Sequence, residues 1–404
     1  MSIDKILFSF FLIAAIWGQY LTLPQFPSLY LFQLFPLHIV TFLLNRKKIN
    51  FSPAIQWLWY FYLLWFLWST VTLFWTPYLN LSISALCYQI ISFYLLFFIV
   101  VYFGDKRGIK QLKFLININY PFVLGVGLIE VLTGNHLKFS SSNLHNYVDY
   151  RPTGMMVNTN DYAAVLVFFL IVFLITSFKH IKIKLAFDLG AIFISSYIIF
   201  NTNSRSALLS FIITITLYII NGLLSKQKNF FVLLLLLILV FSIFIIIINF
   251  NQSSTLLDRF LNKTNSTDER KDIYTYVLRL CRQSNYLGLG VGTTPHYVFY
   301  YVKNPLIASR TINKVMGAHN FLLAVLSDTG IFGLLSILIF LETILLSVLS
   351  YIKKNFPDFF SSFALLFCFL SASIGSSSIF EMRIIWICLG CCLAVISNNA
   401  KKEN

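Results

Sequence analysis

The chain has 404 residues, 58% of them hydrophobic and only 11% charged, with a mean hydropathy of +0.78. Soluble domains carry about 25% charged residues, so a soluble globular protein is excluded. The net charge of +15 is not the footprint of a nucleic-acid binder, because its basic residues punctuate apolar runs and so set membrane orientation.

Apolar runs of roughly 17–24 residues are long enough to cross a hydrocarbon core of about 30 Å. They predict spans at 6–23, 29–44, 54–75, 80–103, 114–133, 160–178, 185–201, 206–222, 230–249, 331–350, 359–377 and 382–397. The expected fold is an all-α integral membrane protein of about twelve helices, a single polytopic domain over 1–404. The first run follows Lys5 and resembles a signal peptide, but it lacks a small-x-small cleavage site and is expected to stay as an uncleaved helix.

Basic residues alternate along the chain. One set holds Lys5, Arg46 to Lys48, Lys106, Arg107, Lys110, Lys113, Lys179, Lys182, Lys184, Lys226, Lys228, Lys353, Lys354, Lys401 and Lys402. The opposite short loops hold only Lys138, Arg151, Arg205 and Arg383. The positive-inside rule therefore predicts both termini in the cytoplasm. Two outer segments are too long for turns, 134–159 and 250–318, the second being a large extracytoplasmic loop between the ninth and tenth spans. Within it Ser266-x-x-Glu269 resembles a capping box. It opens a segment with Ile273, Val277 and Leu280 at helical spacing, read as an amphipathic helix on the membrane surface.

The six cysteines indicate no disulfide framework. Cys388, Cys391 and Cys392 sit in one apolar run with no nearby His or carboxylate, and read as small packing residues. No Walker loop, Asp-x-Asp or His-Glu-x-x-His is present. Gly288-Leu-Gly290-Val-Gly292 opens no strand–helix unit, and reads as a turn where backbone approaches something closely.

The chemistry-bearing residues gather on the outer side. Arg151-Pro-Thr-Gly154 precedes Asn158-Thr-Asn160-Asp161, and Arg205 stands between two spans with almost no loop. An arginine so placed either snorkels to headgroups or needs an anion to offset its desolvation. Arg270 lies in the large loop, where it is a solvated charge or a second anion ligand. Guanidinium groups give planar, often bidentate hydrogen bonds to phosphate oxygens. His319-Asn320 opens a spaced pattern with Gly330 and Gly333 where this loop meets the tenth span. A histidine there caps or packs the helix, or handles a proton at the membrane surface. The two glycines let that helix approach a neighbour or a lipid carrier closely.

These motifs, in this order and on one side, resemble those of the O-antigen ligase and O-antigen polymerase superfamily. The resemblance runs from about 150 to 335, with Thr159 in place of the usual Pro. It implies a fold like that of GT-C-type glycosyltransferases and a metal-independent, inverting transfer in a bacterial cytoplasmic membrane, with the active site on the extracytoplasmic face. The implied donor and acceptor are polyprenyl-diphosphate-linked oligosaccharides; no cofactor or nucleotide sugar is needed. A flippase and a chain-length regulator are candidate partners. Arg205 and Arg270, with Arg151, would hold the diphosphate, and His319 would accept or orient the acceptor's proton. Asn320, Asn160 and Asp161 would support the site. Asp161, Asp328 and Glu381 are other outer carboxylates, any of which could be the base with His319 aligning the acceptor. Within the family, a repeat-unit polymerase is favoured over a ligase. Outside it, a lipid-linked oligosaccharide flippase is the rival, disfavoured because the polar residues gather on one face rather than at the bilayer midplane.

Overall fold

A computed structural model describes residues 3–23, 26–45, 49–144, 150–176, 181–224, 264–303, 317–375 and 379–403. Among them, nine helices are long and apolar enough to cross a membrane, and Leu31–Leu44 and Thr159–Leu174 are shorter apolar helices at the second and sixth predicted spans. The predicted ninth span, 230–249, and much of the 250–318 loop lie outside the described residues.

Helices α1 (Ile3–Trp17), α2 (Phe35–Leu44), α3 (Pro53–Val71) and α4 (Leu79–Phe103) come first. Gly18 in the left-handed region ends α1 early. A short antiparallel pair, Thr22–Leu23 with Phe26–Tyr30, follows, taking the end of the first predicted span and the start of the second. Next are α5 (Lys106–Asn117) and α6 (Tyr120–Thr133). The basic stretch expected as a loop is therefore helical, capped by Asp105, which accepts a bond from the Gly108 amide at 2.6 Å. The predicted span 114–133 is divided because Pro121, in the first turn of α6, has no amide to donate to the Asn117 carbonyl.

Helices α7 (Thr159–Leu174), α8 (Ile181–Thr202) and α9 (Arg205–Leu224) complete the first half. In the second, α10 (Thr264–Gln283) and α11 (Thr294–Lys303) precede α12 (Phe321–Leu349), α13 (Tyr351–Lys354), α14 (Phe356–Gly375) and α15 (Arg383–Glu403). Because α10 starts at Thr264, Ser266 lies inside the helix rather than capping it. The apolar face of α10 also departs from expectation. Ile273 and Val277 pack with Val298, Ala318 and Leu323, so the face is covered by the protein's own α11 and α12 rather than by lipid.

Helices α7, α14 and α15 form the centre. Every residue from Asp161 to Val172 is buried, as expected of a helix that is apolar all round. Thiols tie the layers together: Cys368 donates to the Ala164 carbonyl at 3.5 Å, Cys388 to Leu365 at 3.3 Å and Cys392 to Ser362 at 3.3 Å. This is the packing role read from their apolar surroundings. In α8, buried Asp188 is held by Lys184 at 2.6 Å and by the Tyr218 hydroxyl at 2.5 Å, so this charge near a helix end is neutralised locally.

Helices α4 and α12 both start at the candidate site described below and run away from it, so their far ends share the opposite face. In a Cys87→Ser background, cysteines at Lys110 and Lys354 should be labelled from one side of the membrane. Cysteines at Tyr286 and Tyr300, both exposed, should be labelled only from the other. An impermeant thiol reagent applied to oriented vesicles makes the measurement. Labelling of all four from one side would contradict the arrangement.

Candidate active site

The tenth predicted span proves to be two helical segments. Asn320 caps α12, its Oδ1 accepting from the Leu323 amide at 3.1 Å. The helix therefore begins ten residues before the predicted 331. At Gly330 the backbone turns to φ 69°, ψ −165°, a conformation open essentially to glycine alone. The break exposes carbonyls that an intact helix would satisfy, and in a bilayer such groups must be bonded within the protein.

The glycine-rich loop supplies the partners. Leu289 and Gly290 amides donate to the carbonyls of Ser327 and Asp328, each at 2.9 Å, and the Ile331 amide donates to Tyr286 at 2.9 Å. The indole of Trp68 donates to Thr329 at 2.6 Å, and that of Trp75 to Gly288 at 2.9 Å. Buried Asp328 closes the device. Its Oδ2 accepts from the Gly292 amide at 2.8 Å, and its Oδ1 from the Thr294 amide at 2.9 Å and the Thr294 hydroxyl at 2.5 Å. Gly288, Gly290 and Gly292 all have positive φ. A Cβ on Gly288 would stand 2.5 Å from the Asp328 carbonyl oxygen, so the close backbone approach read from these glycines is made to the broken helix. Gly333 similarly gives room to Thr329 and Trp65, so both α12 glycines face protein.

Against this device lies a cavity of about 230 Å³, lined by Ser84 and Tyr88 of α4, His296 of α11, His319, Asn320, Ser373 and Glu381. Phe321 and Phe380 also line it. Their rings pack at 5.5 Å, and Trp65 lies 6.1 and 5.8 Å from them. The cavity is thus polar at its rim and sealed below by aromatic rings.

His319 is partly exposed with φ 50°, a costly conformation for a non-glycine residue and one met disproportionately at functional sites. Its carbonyl accepts from the Tyr274 hydroxyl at 3.3 Å. The helix cap is Asn320, so the capping role considered for the histidine belongs to its neighbour. Arg270 stands one turn before Tyr274, on the same face of α10, and is partly exposed. Arg205, exposed, is the first residue of α9. The next residue, Ser206, packs against Gly375, two residues beyond cavity-lining Ser373. The structure therefore brings His319, Asn320 and Glu381 into one cavity and sets Arg205 and Arg270 on the adjoining elements.

Arg151, Asn160 and Asp161 lie on the same face but do not line this cavity. The loop after exposed Arg151 is moored to buried Glu130 at the end of α6, whose Oε2 accepts from the Thr153 and Gly154 amides, each at 2.7 Å. Asn158 caps α7 by accepting from the Asp161 amide at 2.9 Å and donates to the Asp161 carboxylate at 2.5 Å. Of the three carboxylates weighed as bases, Asp328 and Glu381 both line the cavity, but Asp328 has both oxygens engaged by the loop, while Asp161 belongs to a helix cap. Desolvation by the surrounding wall pushes the Glu381 carboxyl above its ordinary value. Tyr88 and His296 were not singled out from the sequence. Tyr88 follows Leu81, Ser84 and Ala85 at helical spacing, a signal that was there to find. His296 packs on Tyr78 at 4.1 Å and Tyr300 at 4.6 Å, contacts that no local pattern announces.

A family described as O-antigen ligase matches residues 190–338, a stretch that includes Arg205, Arg270, the glycine-rich loop and His319. The chain is also similar to the teichuronic acid biosynthesis protein TuaE of Bacillus subtilis (strain 168), at 24% identity over 388 residues, covering 89% of this chain and 76% of the relative. Both findings support the O-antigen ligase and polymerase superfamily, and with it a glycosyltransferase-like membrane enzyme of polysaccharide assembly.

Asp328→Asn should test the clamp. The amide keeps only one acceptor for amides that now meet two oxygens, leaving a buried donor unmatched at about 1–3 kcal/mol. A lower thermal midpoint in detergent and faster hydrogen exchange at 288–294 are expected. Exchange in that segment matching the wild type would show that the carboxylate does not hold the loop.

Proposed function

We propose that the protein transfers an oligosaccharide from a polyprenyl diphosphate to a sugar hydroxyl of a second lipid-linked repeat unit, polymerising a surface polysaccharide. The observation that carries this reading is the shared cavity of His319 and Glu381, with Arg205 and Arg270 on the elements that adjoin it. The acceptor hydroxyl attacks the anomeric carbon of the donor. The bond from that carbon to the diphosphate oxygen breaks, with inversion. The hydroxyl proton passes to His319 or Glu381, and the diphosphate leaves as an anion held by Arg205 and Arg270, with Arg151 at the same face. Charge developing on the leaving group is stabilised by preplaced guanidinium groups, so the reaction needs no metal ion.

The relative's role in teichuronic acid biosynthesis supports assembly of a polymer. The matching family's description as a ligase favours the second reading, transfer of a finished glycan to a different acceptor such as a lipid core. Purified protein given one lipid-linked repeat unit separates them: a ladder of longer glycans supports the polymerase, and no elongation without an added second acceptor supports the ligase. A flippase gains no support from these relatives.

Arg205→Ala and Arg270→Ala should nearly abolish transfer while the protein still inserts, and Arg→Lys should remain impaired because the planar fork is lost. Normal elongation by both alanine variants would remove the diphosphate assignment. A chelator should leave the rate unchanged; strong inhibition would point to metal assistance.

The pH profile identifies the base. General bases contribute about 10²–10⁴-fold, and either candidate must be deprotonated to act. If Glu381 is the base, the rate falls as pH drops through its raised pKa, above the ordinary glutamate value of about 4.3, and Glu381→Gln removes most of the rate. If His319 is the base, His319→Gln removes it and Glu381→Gln retains the acidic limb. Near-normal turnover in His319→Gln leaves the histidine only an orienting role.

A further inference from the structure

Helix α4 connects the candidate active site to a second cavity. Tyr88, in its first half, lines the first, whereas its last residue, Phe103, lines the second, which measures about 400 Å³. A helix of 25 residues spans about 37 Å, so the second cavity lies at the opposite membrane face. Its polar lining is Ser9 of α1 with Arg107, Lys110 and Gln111 of α5, set against Phe103, Phe114 and Leu115.

The charges there are unbalanced. Lys5 adds a third cation, its Nζ lying 4.9 Å from the centre of the Phe103 ring. The adjacent carboxylate, Asp105, already accepts the Gly108 amide. Among the described residues neither Arg107 nor Lys110 forms an ion pair. An independent observation comes from Gln111, whose side-chain oxygen Oε1 is buried with no hydrogen-bond partner. A buried acceptor left unmade is costly, and this one belongs to a residue lining the cavity. Phe114, which lines the cavity, is 67% exposed, and Ile6 and Phe10, on the same helix as cavity-lining Ser9, are 52 and 48% exposed, an apolar rim for lipid chains.

We propose that Arg107, Lys110 and Gln111 form a headgroup site for an anionic phospholipid in the leaflet opposite the active site. The two cations hold the phosphodiester. Gln111 Oε1 accepts a bond from a headgroup hydroxyl, and the acyl chains run along the apolar rim. The clustering of three cations and a buried acceptor over phenylalanine rings selects a lipid rather than a soluble anion, which would leave the rim uncovered.

Native mass spectrometry of the full chain with equimolar phosphatidylglycerol and phosphatidylcholine of matched chains tests the site. Wild-type protein should retain phosphatidylglycerol preferentially. The double variant Arg107→Gln/Lys110→Gln should lose that preference by on the order of tenfold or more. Gln111→Leu changes no charge, so membrane orientation is preserved, and it should weaken retention roughly two- to tenfold. Equal retention of the two lipids by wild type overturns the proposal, as does an unchanged preference in either folded variant. If the double variant does not fold, Gln111→Leu decides alone. Complete displacement of phosphatidylglycerol by millimolar inorganic phosphate would show a plain anion site and overturn the lipid assignment.

Discussion

The break in α12 at Gly330 is the constraint on which the candidate site depends. An uninterrupted helix there would carry its side chains past the membrane edge and leave no place for a loop to dock. Breaking it frees carbonyls that bilayer lipid cannot satisfy, and the segment from Tyr286 to Thr294 meets them with its own amides, aided by Trp68 and Trp75. The docked loop leads directly into α11, which brings His296 to the cavity. Helix α12 carries His319 just ahead of its first turn, in a backbone conformation that Tyr274 helps to hold through the carbonyl.

The second organising element is aromatic. Trp65, Phe321, Phe380 and Trp386 close the cavity on its inner side, with Phe321 and Trp386 rings 6.3 Å apart. Rings provide bulk with few polar atoms, and the indole of Trp386 donates to the Ile379 carbonyl at 3.0 Å. Polar groups can therefore converge on one side of this layer while hydrocarbon packing continues on the other. That separation raises the pKa of Glu381 and strengthens any interaction between arginine and phosphate at the rim.

Much of this was legible in the chain. The membrane class follows from the length of apolar runs, and the tight approach at Gly288 to Gly292 from glycines where no binding fold could use them. Arg205, Arg270 and His319 could be grouped because their motifs share one side. The clamp could not be read: Asp328 bonds partners 34 and 36 residues earlier in the chain, beyond any local pattern. Nor could the role of Glu130, which reaches 23 and 24 residues forward to the loop after Arg151. The division between α5 and α6 was signalled by Pro121 but masked by the apolar residues on both sides, and the facing of α10 inward depended on partners in α11 and α12. Amphipathic periodicity identifies a covered face, not what covers it.

The cavity's composition also bears on how its selectivity can diverge. One side is main chain and a clamped carboxylate, and its base is a ring layer belonging to the core; neither can change shape without disturbing the fold. The wall contributed by α4 is different. Ser84 and Tyr88 sit one turn apart on a helix whose geometry is independent of the loop, so altering the bulk of these side chains reshapes the room available to a sugar while leaving the reacting groups in register. Enzymes with the same chemical core could in this way come to build different polysaccharides through exchanges confined to a single helical face.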